Sequence, residues 1–306
     1  MKIIYDLSSL IHSGAKAGFS KSYQWKGFPT GGMFLVFKTL ISDLSKGHEV
    51  IICCDSPTNT LYRYKYYDGY KSNRMTTTDT IRTPEQILFS VQFSVIEDIL
   101  SSIGIPLCKY DGFEADDFIY SVVSKYNNEP IQIRTVDYDL VDTKMLNPQV
   151  SFITHKNIGL NEMPVGEIRC KIIEGCTSDK VPKLQYSTHH ILKDLDFIKA
   201  KGTTEPDIEY IKSVTKLTGE PLQELARNIF LVVPHIINLH CIPNFKPITI
   251  NDIDKDLFIK ILTAFGLKSS LKLFGVNELN ETDEVLEIFD TYNLYKESVL
   301  YEAFDY

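Results

Sequence analysis

Short apolar runs alternate with longer amphipathic segments through the first half of the chain. Residues 2–6 form one such run, which ends in Asp6, and residues 48–54 form a second, which is followed by Asp55. Between them, residues 31–46 place large apolar side chains three and four positions apart, the spacing of a helix with one buried face. Strands joined by helices of this length are typical of an α/β protein with a mostly parallel sheet.

The alternation continues to about residue 154 and then changes character. The further elements predicted are a helix over 84–103 with Pro84 in its first turn, strands at 105–109, 130–135 and 150–154, and a helix that begins near Glu114. Beyond residue 182 the strand-like runs fade, and helical segments with polar connections follow. We therefore expect two domains, an α/β domain over 1–182 and a smaller helical domain over 183–306.

Carboxylates follow four of the predicted strands. They are Asp6, Asp55, the group Glu114, Asp116 and Asp117, and the pair Asp137 and Asp139. Because ligands bind beyond the carboxyl ends of parallel strands, we expect these acids to meet at one edge of the sheet. A single acid after a strand is often a helix N-cap, but three acids within four residues repel one another unless a cation lies among them. Such all-oxygen ligand sets suit Mg²⁺ or Mn²⁺, and two such ions support phosphoryl transfer.

The composition is that of an ordinary globular protein. Hydrophobic residues make up 43% and charged residues 24% of the 306 positions, which argues against a disordered chain. No apolar stretch has membrane-spanning length, and six cysteines without a C-x-x-C pair indicate reduced thiols, so we expect a cytoplasmic monomer, in the host cytoplasm if the protein is viral. The net charge of −8 opposes polyanion binding. Seven of the acids follow the predicted strands, however, and the net charge of the chain without them is near neutral.

Cations and tyrosines are interleaved over residues 60–82, here called the basic-aromatic segment. Cations that follow phosphates and rings that stack on bases are typical of single-strand binding, although an amphipathic helix followed by a Thr-rich loop would have a similar composition. Lys180 and Lys183 suit either duplex phosphates or a solvated surface. The candidate nucleic-acid contacts are Arg63, Lys65, Tyr67, Tyr70, Arg82, Lys180 and Lys183.

Four blocks, in order, resemble those of a known family. One block, Gly112-Phe113-Glu114-Ala115-Asp116-Asp117, resembles the E-A-D-D signature of the 5′-nuclease superfamily of flap endonucleases and 5′–3′ exonucleases. The other three are residues 5–8, residues 54–56 with 67–74, and residues 135–139. Residues 228–243 have a looser similarity to the ribonuclease H branch of T-even-type bacteriophages.

The resemblance implies a PIN-like fold and two divalent ions, Mg²⁺ or Mn²⁺, with a role for each acid. The first ion is implied at Asp6, Asp55, Glu114 and Asp116. The second is implied at Asp137, Asp139 and Asp179, with Asp117 nearby. By the same resemblance Lys71 and Arg74 contact the scissile phosphate and stabilise the charge that develops on it.

The implied activity is that of a 5′–3′ exonuclease and flap endonuclease that removes RNA primers or 5′ flaps during DNA replication, with the helical C-terminal domain binding duplex. The implied partners are DNA with 5′ ends or flaps, RNA/DNA hybrids, and a sliding clamp or single-strand-binding protein. The acidic and aromatic residues 299–306 suit either a clamp-docking peptide or a terminal helix that packs on the body. Two alternatives remain open, a PIN-type ribonuclease and a structure-specific DNA-binding protein with weakened catalysis.

The chain departs from the family pattern near the second implied ion. Cys176 stands where the family has an acid of that site, and thiolate is a poor ligand for Mg²⁺. Tyr138 stands where glycine is usual, and the Gly-rich helix-hairpin element that grips duplex in relatives is not recognisable after Lys183. These departures weaken the second site and leave the residues of the first unchanged.

Overall fold

The structure is a computed structural model that describes residues 1–18, 24–25, 28–56, 60–74, 84–154, 159–185, 191–202, 205–267 and 271–274. The strands are β1 (Lys2–Asp6), β2 (Gln24–Trp25), β3 (Phe28–Pro29), β4 (Glu49–Cys53), β5 (Leu107–Cys108), β6 (Ile131–Arg134) and β7 (Val150–Ile153). The helices are α1 (Leu7–Gly18), α2 (Gly31–Ser45), α3 (Tyr62–Tyr66), α4 (Pro84–Ser102), α5 (Ala115–Lys125), α6 (Glu167–Glu174), α7 (Phe197–Lys201), α8 (Ile208–Thr215), α9 (Gly219–Val232) and α10 (Lys255–Ala264).

Five of these strands, β1 and β4 to β7, form an all-parallel sheet flanked by helices, which confirms the expected α/β fold class with a mostly parallel sheet. The short strands β2 and β3 pair antiparallel, with Trp25 opposite Phe28. The strand expected at 105–109 is shorter than its apolar run and covers only Leu107–Cys108. Among the described residues, no helix is long and apolar enough to cross a membrane.

The described residues fall into two compact units that are discontinuous in sequence. The first unit contains residues from 1–52, 78–107 and 244–306, and the second contains residues from 53–77 and 108–243. The sequence pattern predicted a boundary at 182, yet described residues on both sides of it, from 108 to 243, lie in the second unit. The reason is packing, because α9 lies against α6 and contributes to the same core.

The first unit has β1 and α2 at its centre. All five residues of β1 are buried, and Tyr5 donates a hydrogen bond of 2.6 Å from its hydroxyl to Asp43 of α2. The aromatic ring of Phe37 meets that of Phe258 edge to face, with centroids 5.5 Å apart. A Cβ at Gly14 would lie 2.6 Å from Gly31 O, so glycine is needed where α1 approaches α2.

The second unit contains β6, β7 and the helices that carry the candidate site. β6 and β7 are parallel with Ile131 opposite Val150, and the buried positions alternate along both strands. α5 buries most of its residues, including Phe118 and Ile119 at 0% exposure. Polar side chains from the start of α5, from the segment after β6 and from the loop after α6 therefore meet within this unit.

Candidate metal and phosphate site

A cavity of about 220 Å³ opens within the second unit. Five carboxylates and three cations line it among the described residues, so its walls carry a surplus of acid. The lining residues are Arg63, Tyr70, Lys71, Glu114, Asp116, Asp137, Asp139, Lys171, Ser178, Asp179, Val181, Leu231, Val232 and Pro234. Five of the acids that were predicted from the sequence are thus brought together.

The start of α5 delivers the first two of these acids. Glu114 is the N-cap residue, with the extended backbone angles φ −98° and ψ 161°, and Asp116 lies in the first turn. Negative side chains are favourable there because the first N–H groups of a helix have no partner within it. One of those N–H groups, Ala115 N, donates to Asp55 Oδ1 at 2.8 Å. Asp55 therefore caps α5 and does not line the cavity.

The segment after β6 delivers the next two acids through a chain of local hydrogen bonds. Thr135 Oγ1 accepts from Asp137 N at 3.0 Å, and Asp137 Oδ1 accepts from Asp139 N at 3.0 Å. Such side-chain to backbone bonds two residues apart define a tight turn, which sets both carboxylates beside the cavity. Tyr120 of α5 adds a hydrogen bond of 3.1 Å from its hydroxyl to Asp139 O.

Three donors share the two oxygens of Glu114. Arg63 Nη1 and the Tyr70 hydroxyl bind Oε2 at 2.6 and 2.9 Å, and the ammonium of Lys71 pairs with Oε1. Burial alone would raise the pKa of Glu114, but the charges of Lys71 and Arg63 lower that pKa to about 2. Glu114 is therefore an anion at every pH near neutrality.

Asp139 has the opposite electrostatic situation. Burial and the neighbouring charge of Asp137 raise the pKa of Asp139 to about 6, although its carboxylate is ion-paired with Lys171. Burial would lower the pKa of Lys171, but Asp139 raises it, so this lysine stays charged. Lys171 Nζ also lies 4.0 Å from Asp179 Oδ2. One ammonium therefore faces more carboxylate charge than it can neutralise.

The donor set fits divalent cations in its chemistry. Oxygen-only carboxylate clusters suit Mg²⁺ and Mn²⁺. The raised pKa of Asp139 reflects its burial and its repulsion by Asp137, and a bound cation would offset both. As the side chains stand, Lys71 and Lys171 pair with Glu114 and Asp139, and no three His, Cys, Asp or Glu side chains of the described residues have the spacing of a metal site. A bound ion would have to take the place of an ammonium.

Two of the predicted site residues, Arg63 of the cavity wall and Asp117 behind it, are almost completely buried. Arg63 is 2% exposed and Asp117 is 0% exposed, and they form a paired salt bridge with N–O distances of 2.8 and 3.0 Å. Asp117 also accepts from Glu114 N at 3.0 Å and from His235 N at 2.6 Å. The guanidinium of Arg63 is enclosed by these carboxylates, and its contact with nucleic acid stays a prediction. Asp117 is occupied by these donors and does not line the cavity, so its assignment to an ion stays a prediction without a supporting contact.

The other predicted nucleic-acid contacts divide into three groups. Tyr70 is buried against Glu114 and Tyr67 is half-buried, whereas Lys180 and Lys183 are exposed, the latter paired with Glu174. Lys65 and Arg74 have described backbones in α3 and in the 3-10 turn Ser72–Arg74, but their side chains are not described. Arg82 and residues 299–306 lie outside the described residues. Asp6 belongs to the first unit, where its Oδ1 accepts from Ser9 N at 3.1 Å.

Lys171 is a site residue that the sequence did not reveal. It lies on α6 between Cys170 and Ile172 and has no motif of its own, so its helical pattern gave no reason to single it out. A second such feature is the backbone of Lys71, which has a φ of +46° that non-glycine residues rarely adopt. Lys71 N donates to Asp179 O at 2.9 Å, which ties the basic-aromatic segment to the loop that carries Asp179.

The chain is similar in sequence to known 5′-3′ exonucleases. The chain is 25% identical to a 5′-3′ exonuclease of Mycoplasma pneumoniae over 245 residues, 74% of this chain and 80% of that protein. It is 29% identical to a 5′-3′ exonuclease of Aquifex aeolicus over 134 residues, 43% of each chain, so the matched region spans less than half of that relative. A structure of T5 5′-exonuclease with bound zinc aligns with a TM-score of 0.49 at 18% identity, covering 91% of this chain and 100% of that one.

The family itself is shown by a model of the N-terminal, resolvase-like domain of 5′-3′ exonucleases, which matches residues 3–168. That range holds more than half of the chain and includes each predicted acid except Asp179. The resemblance read from the E-A-D-D block is thereby confirmed. The chain belongs to the 5′-3′ exonuclease family of the 5′-nuclease superfamily.

Proposed function

We propose that this protein is a divalent-metal-dependent 5′–3′ exonuclease and flap endonuclease that hydrolyses phosphodiesters in DNA and removes RNA primers or 5′ flaps. One observation carries the proposal: five carboxylates and Lys71 line a single cavity in a chain of the 5′-3′ exonuclease family. A surplus of acid at a phosphate-cleaving site makes sense only with cations, because carboxylates alone would repel the substrate.

The five carboxylates that line the cavity would hold the ions. Asp6 and Asp55 are further candidates from the family pattern. Mg²⁺ or Mn²⁺, when bound, supplies the positive charge that activates water and stabilises the leaving oxygen. Glu114 and Asp116 come from one helix start, while Asp137, Asp139 and Asp179 come from two other segments. This division agrees with the two ions that the family resemblance implies.

Lys71 is the cation placed to meet the substrate phosphate. Its Nζ pairs with Glu114 and lies 4.0 Å from Asp179 Oδ1, and its side chain is part-buried. An ion held by Glu114 would free the ammonium to bind the scissile phosphate at the same rim. A fixed cation in a site with little water stabilises developing negative charge more strongly than one in solvent.

Tyr70 and Arg63 orient the carboxylate of Glu114, the partner of Lys71. Both donate to Glu114 Oε2 from buried positions, which fixes the orientation of that carboxylate whatever binds Oε1. They are positioning residues in this account, because both side chains are almost completely buried and bind the carboxylate of Glu114. The basic-aromatic segment thus has two roles, with its buried members orienting Glu114 and Lys71 facing the substrate.

Cleavage of a 5′-flapped duplex, in Mg²⁺ and in excess chelator, tests the proposal. We expect release of the flap only with metal, little cleavage of a matched 3′-flapped duplex, and a rate lower by about 10²–10³ in Lys71→Met. Lys125→Met, at the exposed far end of α5, is the matched control and should cleave like wild type. An RNA-only preference on matched flaps would favour the PIN-type ribonuclease, and inertness on every substrate would refute the proposal.

A further inference from the structure

Asp179 lies on a loop, residues 175–182, whose base is closed by backbone hydrogen bonds; we call it the Asp179 loop. Cys176 and Val181 face each other as an antiparallel bridge, with N–H···O distances of 2.9 Å in both directions. At Gly175, φ is +75°, and a Cβ there would lie 2.6 Å from Val181 O. Only glycine fits this close approach, so the chain enters the loop in one fixed direction.

Asn228 on α9 joins the last turn of α6, which leads into the Asp179 loop, to Pro182 at the end of that loop. Its side chain is 0% exposed, and Nδ2 donates to Ile172 O at 2.9 Å and to Pro182 O at 2.7 Å. Ile172 belongs to the last turn of α6, where carbonyls have no partner within the helix. Both amide hydrogens of Asn228 are therefore used to fix the distance between the end of α6 and the end of the loop.

The loop that Asn228 holds reaches the cavity through Asp179. Asp179 O accepts from Lys71 N at 2.9 Å, and the Asp179 carboxylate lies 4.0 Å from the ammonium groups of both Lys71 and Lys171. Asn73 Nδ2 donates to Ser178 O at 3.3 Å. A shift of the loop base would therefore move a carboxylate that faces both lysines of the site.

We infer that Asn228 is a positioning residue for the second divalent ion, because it fixes the loop that presents Asp179 alongside Asp137 and Asp139. The inference rests on the proposed two-ion function. Groups that orient metal ligands from outside the coordination sphere change metal affinity by about 10–100-fold when they are removed. Neither the composition nor the spacing of α9 pointed to such a role, since Asn228 lies 49 positions beyond Asp179 in the sequence.

The chain offers a matched control in Asn147. It is also 0% exposed, and its Nδ2 also donates to two main-chain carbonyls, Tyr126 O at 3.2 Å and Glu129 O at 2.8 Å. Those carbonyls lie in the turn that precedes β6, whereas Asp137 follows that strand. Replacement of Asn147 should therefore cost similar stability without disturbing the Asp179 loop.

The test counts bound Mn²⁺ by electron paramagnetic resonance in wild type, Asn228→Ala and Asn147→Ala, with the free energy of unfolding measured for each. We expect two ions in wild type and in Asn147→Ala, and a second ion bound about tenfold more weakly or worse in Asn228→Ala. Asn228→Ser, which keeps one donor, should give an intermediate affinity. If Asn228→Ala does not fold, the Mn²⁺ affinity of Asn228→Ser tests the inference.

Four outcomes would overturn the inference. Equal binding in Asn228→Ala and wild type would refute the positioning role alone, and wild-type cleavage of a 5′ flap would still support the proposed function. Equal weakening in Asn147→Ala would reduce Asn228 to a general contributor to stability, as would global unfolding of both Asn228 variants. Fewer than two ions in wild type would mean that no second ion binds. That result would refute both the inference and the two-ion part of the proposed function.

Discussion

Arg63 Nη1 lies 2.6 Å from Glu114 Oε2, and both side chains are almost completely buried. The guanidinium also forms a paired salt bridge with Asp117, so one cation is shared by two carboxylates. The second unit therefore contains a buried ionic network in the wall of its candidate site. Removal of one member of such a network leaves charge without compensation.

Arg63→Met should destabilise the protein by about 3–5 kcal/mol, because Glu114 and Asp117 would remain buried without their shared cation. Urea unfolding measures this change. Lys183→Met is the control, since Lys183 pairs with Glu174 at the surface and such pairs contribute about 0–1 kcal/mol. An Arg63→Met variant that unfolds like wild type but binds DNA weakly would contradict this structural role and support the expectation that Arg63 contacts nucleic acid.

The acid limb of the stability curve should report on Glu114. Its pKa is lowered to about 2 in the folded state, so the stabilisation is complete above the pKa of the unfolded chain and is lost as pH falls through the folded value. The loss amounts to about 3 kcal/mol between roughly pH 4.5 and pH 2. Chemical unfolding across this range should show a shallower pH dependence in Glu114→Gln. Parallel curves for the two proteins would contradict the assignment.

Lys201 should tolerate replacement by an apolar side chain. It is 1% exposed, and its Nζ donates to Phe230 O at 2.5 Å and lies over the rings of Tyr62 and Phe230. Burial and the charge of Arg63 lower the pKa of Lys201 well below its usual value. Lys201→Met should change the free energy of unfolding by less than about 1 kcal/mol or stabilise the fold by about 1–4 kcal/mol.

The matched variant at this position is Lys201→Ala, which removes the aliphatic stem as well as the amine. It should destabilise the protein by about 2–5 kcal/mol through the cavity it leaves. Thermal unfolding of the two variants separates packing from charge. Strong destabilisation by both would show that the amine itself is needed for stability.

Cys176→Asp should strengthen the second site. Cys176 Sγ lies 3.5 Å from Asp179 Oδ2, so a carboxylate there would add an oxygen donor beside an existing one. We expect the Mg²⁺ concentration for half-maximal cleavage to fall by about tenfold, since ligand charge sets the affinity for hard cations. Cys170 is an exposed cysteine on α6, and Cys170→Asp should leave this Mg²⁺ concentration unchanged. No response in either variant would mean that position 176 does not reach the ion.

Four of the five acids that face the cavity could be predicted because local rules place them, whereas Asp179 was implied only by the family resemblance. Asp137 and Asp139 follow β6, and Glu114 and Asp116 begin α5, so periodicity and strand ends were sufficient to bring them together. The role of Arg63 could not be read in the same way. Its partner Asp117 is 54 positions away, and only the folded chain shows that this cation points inward.

The division of the fold illustrates the same limit. Strand and helix positions follow from short-range patterns, and the helices expected after residue 182 are present. The compact units depend on long-range packing, in which α9 joins α6 while residues beyond 244 join β1 and α2. Lys171 and Asn228 became visible only through that packing, because neither belongs to a motif. Sequence pattern therefore located the acids but not the groups that hold them.

The central claim is that the acids of the cavity bind divalent cations that cleave a phosphodiester. Calorimetric titration of Mn²⁺ into wild type and Asp116→Asn, with cleavage of a 5′-flapped duplex measured on the same samples, tests it most directly. We predict saturable binding by wild type, affinity at least about tenfold lower in Asp116→Asn, and a parallel fall in cleavage. Identical titrations for the two proteins, or cleavage that persists in Asp116→Asn without bound metal, would contradict the claim.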